Sequence, residues 1–488
     1  MYFNSYIFIL AFLPITLSGY YLINRTKKYS LATMWLLAAS LVFVGYLNWH
    51  YVVMTTVSVI IGYAFVMAVS NTDYSTATRK RILAGGIIVH LGILLYFKYS
   101  NFFIENINVV LHKEITFLDI ILPLGISFYT FQQIAYLVDC YRDNTVRCSF
   151  LEYFLYITYF PKFLQGPILL HGDMFPYLRD EKNKVFSMEH FCKGLYAFAL
   201  GLSKKVLIAD NIALLVNVGY ADIEDLNSPS AILVMIAYSL QLYFDFSGYC
   251  DMAMGVGEML QIPVPVNFDS PYKAVKVTEI WSRWHMTLTR FFTQYVYIPL
   301  GGNRKGTSRM YANTFVVFVL SGIWHGAAWT FVLWGLMHAV AMVISKFIAR
   351  CKIVLPRVLG WLLTFGFWVS SFAIFRASSI HEARELFARV LYGGMGRIHG
   401  MFFETIEKSV EISLFQRIDV LDVFDQYSEA YVLALLLLPL IGCLILKNTQ
   451  EKVKEFRFTY GKLFVTVFLL FYSLISLGRV TVFLYANF

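Results

Sequence analysis

Long apolar segments alternate with short polar stretches along almost the entire chain of 488 residues. A helix needs about 20 mostly apolar residues to cross the hydrocarbon core of a bilayer. The alternation therefore predicts an all-α, polytopic transmembrane bundle of about ten to thirteen helices, some short enough to be tilted or re-entrant. The predicted spans are residues 5–23, 31–46, 51–70, 82–97, 117–138, 151–170, 190–208, 231–250, 311–323, 327–347, 358–376, 430–447 and 463–482.

Basic clusters between the predicted spans indicate the orientation of the chain, because Lys and Arg collect in cytoplasmic loops. The first cluster, residues 25–28, follows the first span, which places the N-terminus outside. The longest polar stretch, residues 377–429, then forms an extracytoplasmic loop with interfacial helices. We expect a single multi-pass domain over residues 1–488 in the inner or plasma membrane of the cell. The other basic clusters, all expected in the cytoplasm, are residues 79–81, 303–309, 350–357 and 447–462.

One segment must turn back inside the membrane. Residues 311–347 lie between two of the cytoplasmic clusters, so this part of the chain has to enter the bilayer and return. The turn falls at residues 322–326, too near the middle of the segment for an ordinary outer loop. His325 is therefore predicted at a break in a membrane-embedded helix.

Composition narrows the class of protein. Hydrophobic residues make up 58% of the chain and charged residues 15%, with a mean hydropathy of +0.61. Soluble domains carry about 25% charged residues, so a soluble multidomain protein is excluded. The net charge of +9 is assigned to the cytoplasmic loops, and no basic run with interleaved aromatic residues predicts a nucleic-acid groove. The six cysteines include no Cys-x-x-Cys pair, and we predict no metal site.

The first polar cluster inside an apolar segment spans residues 243–251. Charged side chains are costly in a membrane, so each one invites a functional interpretation. Asp245 and Asp251, with Ser247 and Tyr249, could form a pocket wall that orients a base or binds a donor. They could equally cap the end of a helix.

Two further clusters contain histidines. Arg283 and His285 alternate with Trp281 and Trp284; the arginine could hold a phosphate or carboxylate, or the cluster could be an amphipathic helix at the lipid headgroups. The other cluster pairs Trp324 with His325. A neutral imidazole in a dry site can take a proton from an attacking hydroxyl, but His325 could also be a core histidine that is hydrogen-bonded across helices. His338 is a weaker candidate.

Ordered sequence blocks along nearly the whole chain resemble the membrane-bound O-acyltransferase (MBOAT) family, and within it the bacterial alginate O-acetyltransferase branch. The most specific blocks are a Trp-His-x-x-Leu motif, a Tyr-Ile-Pro-Leu-Gly-Gly-Asn-Arg motif and a Trp-His-Gly motif. The blocks that carry the resemblance are residues 122–132, 160–168, 201–211, 243–253, 284–288, 297–304 and 321–326.

The resemblance implies a ring of helices around a central tunnel and an acyltransferase activity. His325 maps to the family's catalytic histidine, and His285 maps to a second active-site histidine. The donor would be acetyl-CoA or another acyl thioester, used as a co-substrate and not as a bound cofactor. The acetyl group would pass to an SGNH-type acetyltransferase or another acceptor protein outside the cytoplasm, or directly to a surface polysaccharide. The expected donor-pocket residues are Asp245, Ser247, Tyr249, Asp251, Arg283, Trp284, Trp324 and Asn303.

Three alternatives stay open at this point. One is a non-catalytic scaffold for a surface-polymer complex, in which neither histidine matters. A related branch of the family transfers D-alanine to teichoic acid and shares the two histidines. A transporter for lipid-linked sugars would use the same intramembrane Asp, Arg and His side chains for binding only. Metalloprotease, ATPase, serine-hydrolase and dinucleotide-binding motifs are missing from the sequence, which argues against those classes.

Overall fold

The computed structural model describes residues 1–143, 147–406, 422–478, 481, 483 and 484. The described residues form helices and no β-strand, as the apolar pattern predicts. Among these residues, six helices are long and apolar enough to cross a membrane. The number of crossings, about ten to thirteen by the length rule, stays a prediction. The six are Phe8–Arg25, Trp49–Val69, Thr76–Leu111, Ser228–Leu260, Trp329–Arg350 and Arg357–Arg376, and shorter apolar helices cover Tyr29–Gly45, Glu429–Ile445 and Tyr460–Ile475.

The chain divides into two compact units. The first unit comprises residues 1–198, 252–266 and 290–298. Its interior contains stacked and edge-to-face phenylalanines from distant parts of the sequence, including Phe8, Phe43 and Phe160. Besides the spans already given, its helices are Ile126–Arg142, Phe150–Thr158, Phe160–Phe163, His171–Arg179, Glu181–Lys184 and most of Met188–Ser203.

The second unit comprises residues 199–251, 267–289 and 299–488, and it contains both candidate histidines. The helix Ser228–Leu260 is apolar on all sides and is the most deeply buried of the six long helices, as expected for a helix in the interior of a bundle. A cluster of buried tryptophans, Trp281, Trp284, Trp334 and Trp368, packs edge to face in the same core. The remaining helices are Lys204–Ala209, Asp210–Ala221, Val277–Ile280, Met286–Phe292, Thr307–His325, Ile380–Tyr392, Met401–Ile406, Asp422–Ile445, Thr449–Lys454 and Tyr460–Ile475.

In the described residues of the predicted loop at 377–429, two short helices, Ile380–Tyr392 and Met401–Ile406, precede the helix that begins at Asp422. The first of these begins after Ser379, whose side chain accepts a hydrogen bond from the backbone of Glu382 and caps the helix. Residues 407–421 lie outside the described residues. The next helix begins at Asp422, whereas the predicted span begins at residue 430. The extracytoplasmic position of the loop stays a prediction.

Candidate active site

His325 lies at the end of a helix, where the sequence predicts a break. The helix Thr307–His325 stops there, Gly326 is extended, and the next helix starts at Trp329. The buried His325 ring packs edge to face against Trp334 and Phe375, at centroid distances of 5.0 and 5.3 Å. The aromatic rings therefore hold the imidazole in a largely apolar environment.

Two glycines make this turn possible. A Cβ on Gly326 would lie 2.0–2.8 Å from ring carbons of Phe331, closer than any real contact. A Cβ on Gly322 would lie 2.5 Å from the Phe331 carbonyl oxygen and 2.7 Å from the Cα of Gly335. The two helices of the hairpin thus approach through backbone atoms, and this close approach fixes the backbone that carries His325.

His285 lies in a turn between the helices Val277–Ile280 and Met286–Phe292. It is fully buried, and its backbone is left-handed with φ of 45°. A non-glycine residue in this conformation is strained, and such strain is found most often at functional sites. The turn is held by the backbone amide of Met286, which donates to the carbonyl oxygen of Asn267 at 3.0 Å.

The side chain of Asn267 determines which nitrogen of His285 carries the proton. Its Oδ1 accepts from the Thr287 amide at 3.2 Å and the Thr287 hydroxyl at 2.8 Å, so this atom is the oxygen of the amide group. His285 Nδ1 lies 3.1 Å from the same oxygen and must therefore donate. The Nε2 atom is then the unprotonated acceptor, and it is buried with no hydrogen-bond partner among the described residues.

Trp324 brings the two histidines to one place. Its ring centroid is 4.9 Å from that of His325 and 6.2 Å from that of His285, although the two histidines are far apart in the sequence. Phe246 packs edge to face on His285 from the helix Ser228–Leu260, at 5.0 Å. The arrangement is a dry, aromatic site with two imidazoles around one indole.

The acidic residues of the 243–251 cluster are paired with lysines. Asp245 is buried and lies 2.7 Å from Lys205, which also contacts Asp210 at 2.8 Å. Asp251 accepts from Lys204 at 2.6 Å and from the Thr449 hydroxyl at 2.6 Å. The helix continues to Leu260, so a helix end capped by these residues is the wrong interpretation.

Ser247 and Tyr249 are buried on the same helix, and the Tyr249 ring lies edge-on to Phe483 at 5.2 Å. Their expected role in the donor pocket stays a prediction.

The residues around His285 are core residues and not a surface helix. Trp284 is buried and its ring packs on Trp368 at 5.1 Å, which contradicts an amphipathic helix at the headgroups. The Arg283 guanidinium contacts Glu279 at 3.1 Å and donates to the Asp269 carbonyl oxygen at 3.1 Å. Arg283 is thus already engaged by protein groups.

Two other candidates remain, of which His338 packs on Trp334 at 4.5 Å, the indole that also contacts His325. Asn303 is exposed in the segment before Thr307, and its role stays a prediction. His338 is buried among aromatic rings and its Nδ1 accepts from the Trp281 indole at 3.3 Å, a contact typical of a structural histidine.

Sequence reasoning missed Asn267 and the partner lysines. Lys204 and Lys205 lie together in a predicted span, Asp245 lies in another, and Asp251 directly follows that second span. Since intramembrane charges pair with one another, this complementarity was a usable signal for the ion pairs. Asn267 is one amide among many, and no spacing rule links it to a histidine in a left-handed turn.

The comparisons with known proteins are consistent with this site. The model of MBOAT, the membrane-bound O-acyltransferase family, matches residues 141–380, a range that includes both histidines. The chain is 38% identical to peptidoglycan O-acetyltransferase of Helicobacter pylori over 424 residues, 81% of this chain and 80% of that protein. It is 35% identical to a protein of Pseudomonas aeruginosa named probable alginate O-acetylase AlgI, over 79% of this chain and 74% of that protein. It is 29% identical to teichoic acid D-alanyltransferase of Bacillus subtilis, over 53% of this chain and 70% of that protein.

Proposed function

The chain belongs to the membrane-bound O-acyltransferase family and is an O-acyltransferase, and from this premise we propose that it acetylates a polysaccharide of the cell envelope. The donor is a cytoplasmic thioester, acetyl-CoA, and the acetyl group crosses the membrane through the protein. The observation that carries the proposal is the convergence of two buried histidines, one with a defined tautomer, on Trp324.

The reaction is a transfer of the acetyl group from sulfur to oxygen. The acceptor hydroxyl gives its proton to His325 while its oxygen bonds to the carbonyl carbon of the thioester. The carbon–sulfur bond then breaks, and the leaving thiolate takes the proton, which yields an ester and free CoA. A positioned histidine base of this kind contributes about 10²–10⁴-fold in rate.

His285 acts through its unprotonated Nε2. Because Nδ1 donates to Asn267, the neutral ring has no second N–H with which to stabilise an oxyanion. Its Nε2 can accept a hydrogen bond, from the acceptor hydroxyl or from an amide of the donor. The tautomer therefore favours a positioning role for His285, and other groups must stabilise the oxyanion.

The acceptor is inferred from the relatives, whose names specify peptidoglycan and alginate. The identity to the peptidoglycan enzyme is 38% and that to the alginate protein 35%, so peptidoglycan is the first polymer to examine and an alginate-like exported polysaccharide the second. The first acceptor of the acetyl group is an extracytoplasmic SGNH-type acetyltransferase that passes it to sugar, or the sugar itself. D-alanyl transfer to teichoic acid is the competing activity, supported by a relative that is 29% identical.

The decisive experiment compares envelope glycans from cells with the wild-type gene, no gene, His325→Ala or His285→Ala. O-acetyl groups are quantified by NMR on purified peptidoglycan and exported polysaccharide, and D-alanine esters on teichoic acid where it is present. His90→Ala is the matched control, since His90 is also buried but hydrogen-bonds the Gly86 carbonyl oxygen one turn earlier in its own helix, at 2.8 Å, and packs edge to face on Phe65.

We expect O-acetyl groups to disappear in the deletion strain and in His325→Ala at normal membrane levels of protein, and to persist in His90→Ala. O-acetyl groups that persist in the deletion strain, together with lost D-alanine esters, would move the assignment to D-alanyl transfer. An unchanged polymer in His325→Ala would instead favour a transporter.

A further inference from the structure

A cavity of about 440 Å³ lies in the second unit, between the helices Trp329–Arg350 and Arg357–Arg376 and the segment 275–277. Two basic side chains, Lys276 and Arg357, line it. Most of the remaining lining is apolar and includes Val275, Val277, Ile344, Ile348, Leu363 and Phe367. An apolar groove that carries two cations suits an amphipathic ligand with a negative group.

The loop between the two helices has the character of a segment at the membrane surface. Both helices are long and apolar enough to cross a membrane, so the loop that joins them lies at its boundary. Ile353, Val354 and Leu355 in this loop are 55%, 88% and 41% exposed, and all three also line the cavity. Exposed aliphatic side chains next to cations are typical of the boundary between lipid headgroups and hydrocarbon. The cavity therefore lies at the depth of the lipid headgroups.

The two cations of this cavity are not neutralised by acidic side chains. Residues 280–381 contain ten Lys or Arg and no Asp or Glu. Glu279, the acid nearest to Lys276 in the sequence, contacts Arg283 at 3.1 Å and accepts from a backbone amide at 3.0 Å. The side chains of Lys276 and Arg357 are exposed and make no ion pair or hydrogen bond within the described part of the chain. Both are therefore available to a negative group in the cavity.

A chain of packed rings connects the cavity to the candidate active site. Phe367, which lines the cavity, packs edge to face on His338 at a centroid distance of 4.9 Å. His338 packs on Trp334 at 4.5 Å, and Trp334 packs on His325 at 5.0 Å. A ligand that fills the cavity therefore supports, from the membrane side, the helices that hold these rings.

We propose that this cavity binds one anionic phospholipid, with the phosphate between Lys276 and Arg357 and an acyl chain against the apolar wall. Lysine and arginine both bind phosphate through charge-assisted hydrogen bonds. The cavity volume falls within the range of about 300–1,000 Å³ that is usual for ligand pockets. The basic cluster at residues 350–357 is predicted to be cytoplasmic, and anionic lipids of the cytoplasmic leaflet attract basic residues beside a membrane span. The inference goes beyond the proposed function and does not depend on it.

The test measures lipid retention by the full-length protein in nanodiscs. The discs consist of phosphatidylcholine with increasing fractions of phosphatidylglycerol, and native mass spectrometry counts the lipid that the released protein retains. The melting temperature is measured in the same discs, and sn-glycerol 3-phosphate, which has no acyl chain, is added in a competing series. The test variants are Lys276→Gln, Arg357→Gln and the double variant. The matched control is Lys352→Gln, because Lys352 is exposed in the same loop but does not line the cavity.

The expected losses separate a built site from general attraction to the membrane. A hydrogen bond to a charged group contributes at least about 10-fold in affinity, whereas any cation near an anionic membrane surface contributes about fivefold. We expect each single variant to weaken phosphatidylglycerol retention by about 10-fold and the double variant by about 100-fold. Lys352→Gln should weaken it by no more than about fivefold. Phosphatidylglycerol should raise the melting temperature of the wild type but not that of the double variant, because a ligand that binds the folded state stabilises it.

Equal losses in Lys352→Gln and the double variant would overturn the proposal, because surface charge alone would then attract the lipid. A wild-type melting temperature that does not rise with phosphatidylglycerol would overturn it as well. So would competition by sn-glycerol 3-phosphate as strong as that by the lipid, which would make the cavity a site for free phosphates. A mass of two protein copies in place of retained lipid would instead identify the groove as an interface between copies. Acetyl transfer enters none of these measurements, so failure of the proposed function leaves their outcome unchanged.

Discussion

The hydrogen bond from His285 to Asn267 gives the most direct test of the geometry of the site. One oxygen, Asn267 Oδ1, accepts from the imidazole Nδ1 and from two donors of Thr287. The substitution Asn267→Ala removes the acceptor and leaves three buried donors. Both ring tautomers of His285 then become accessible, and the strained turn loses its main side-chain contact.

The magnitude of the effect follows from the hydrogen bonds that the substitution removes. A buried donor left without a partner costs about 1–3 kcal/mol. If the loss of one such hydrogen bond raises the activation free energy by this amount, the rate falls by roughly 5- to 150-fold, at about 1.4 kcal/mol for each factor of ten. The loss of the other two hydrogen bonds lowers the free energy of unfolding. We therefore expect Asn267→Ala to be both slower, by about one to two orders of magnitude, and less stable.

Two further variants separate catalysis from stability. Thr287→Val removes the hydroxyl contact to the same oxygen but leaves the partner of His285 in place, so it should reduce stability with little effect on turnover. Asn267→Asp keeps an acceptor for all three donors and should recover most of the rate. Turnover is measured as CoA release in proteoliposomes across a pH series, and stability as the apparent melting temperature in detergent.

The reasoning would be refuted if Asn267→Ala turned over no more slowly than Thr287→Val. It would also fail if Asn267→Asp were as slow as Asn267→Ala, because the loss would then not depend on an acceptor for Nδ1.

Two other predictions concern the glycine turn and the buried ion pair. Gly326→Ala should abolish acetylation because its Cβ would meet the Phe331 ring at 2.0–2.8 Å, and Phe331→Leu in the same chain should restore part of it in the glycan NMR assay. Lys205→Met leaves Asp245 buried without its cation and should lower stability by about 3–5 kcal/mol, whereas the double variant with Asp245→Asn should regain much of the melting temperature.

Length and apolar content predict most of the helices, because they are sufficient to specify a helix in a membrane. The predicted spans 117–138 and 151–170 are wrong in part, since residues 117–125 and 164–170 are not helical. The sequence also predicts the break at His325, since the basic loops on either side force residues 311–347 to turn back.

The partners of the polar side chains are harder to predict. From the sequence alone, Arg283 could bind a ligand or pair with Glu279 on the adjacent turn. The fold shows that it pairs with Glu279.

The contact between His285 and Asn267 lies beyond sequence reasoning for a different reason. It depends on a left-handed backbone at a histidine, a conformation that only a few per cent of non-glycine residues adopt. Such a conformation is stable only when the surrounding contacts over-determine it. Here they are the Met286 amide on the Asn267 carbonyl and the Thr287 amide and hydroxyl on the Asn267 side chain, and none of these is visible before the chain is folded.

The ion pairs of the core also bear on the choice between an enzyme and a transporter. The buried acids that suggested substrate binding in the sequence, Asp245 and Asp251, are neutralised by Lys205 and Lys204. Breaking a buried ion pair costs several kcal/mol, so these carboxylates are poor candidates for groups that must release and rebind a substrate. The Nε2 atom of His285 has no competing hydrogen bond in the described residues, and it lies beside the indole that also contacts His325. The charges in this core therefore support the fold, and His285 Nε2 is one of the buried polar atoms of the described residues that remain available to a substrate hydroxyl.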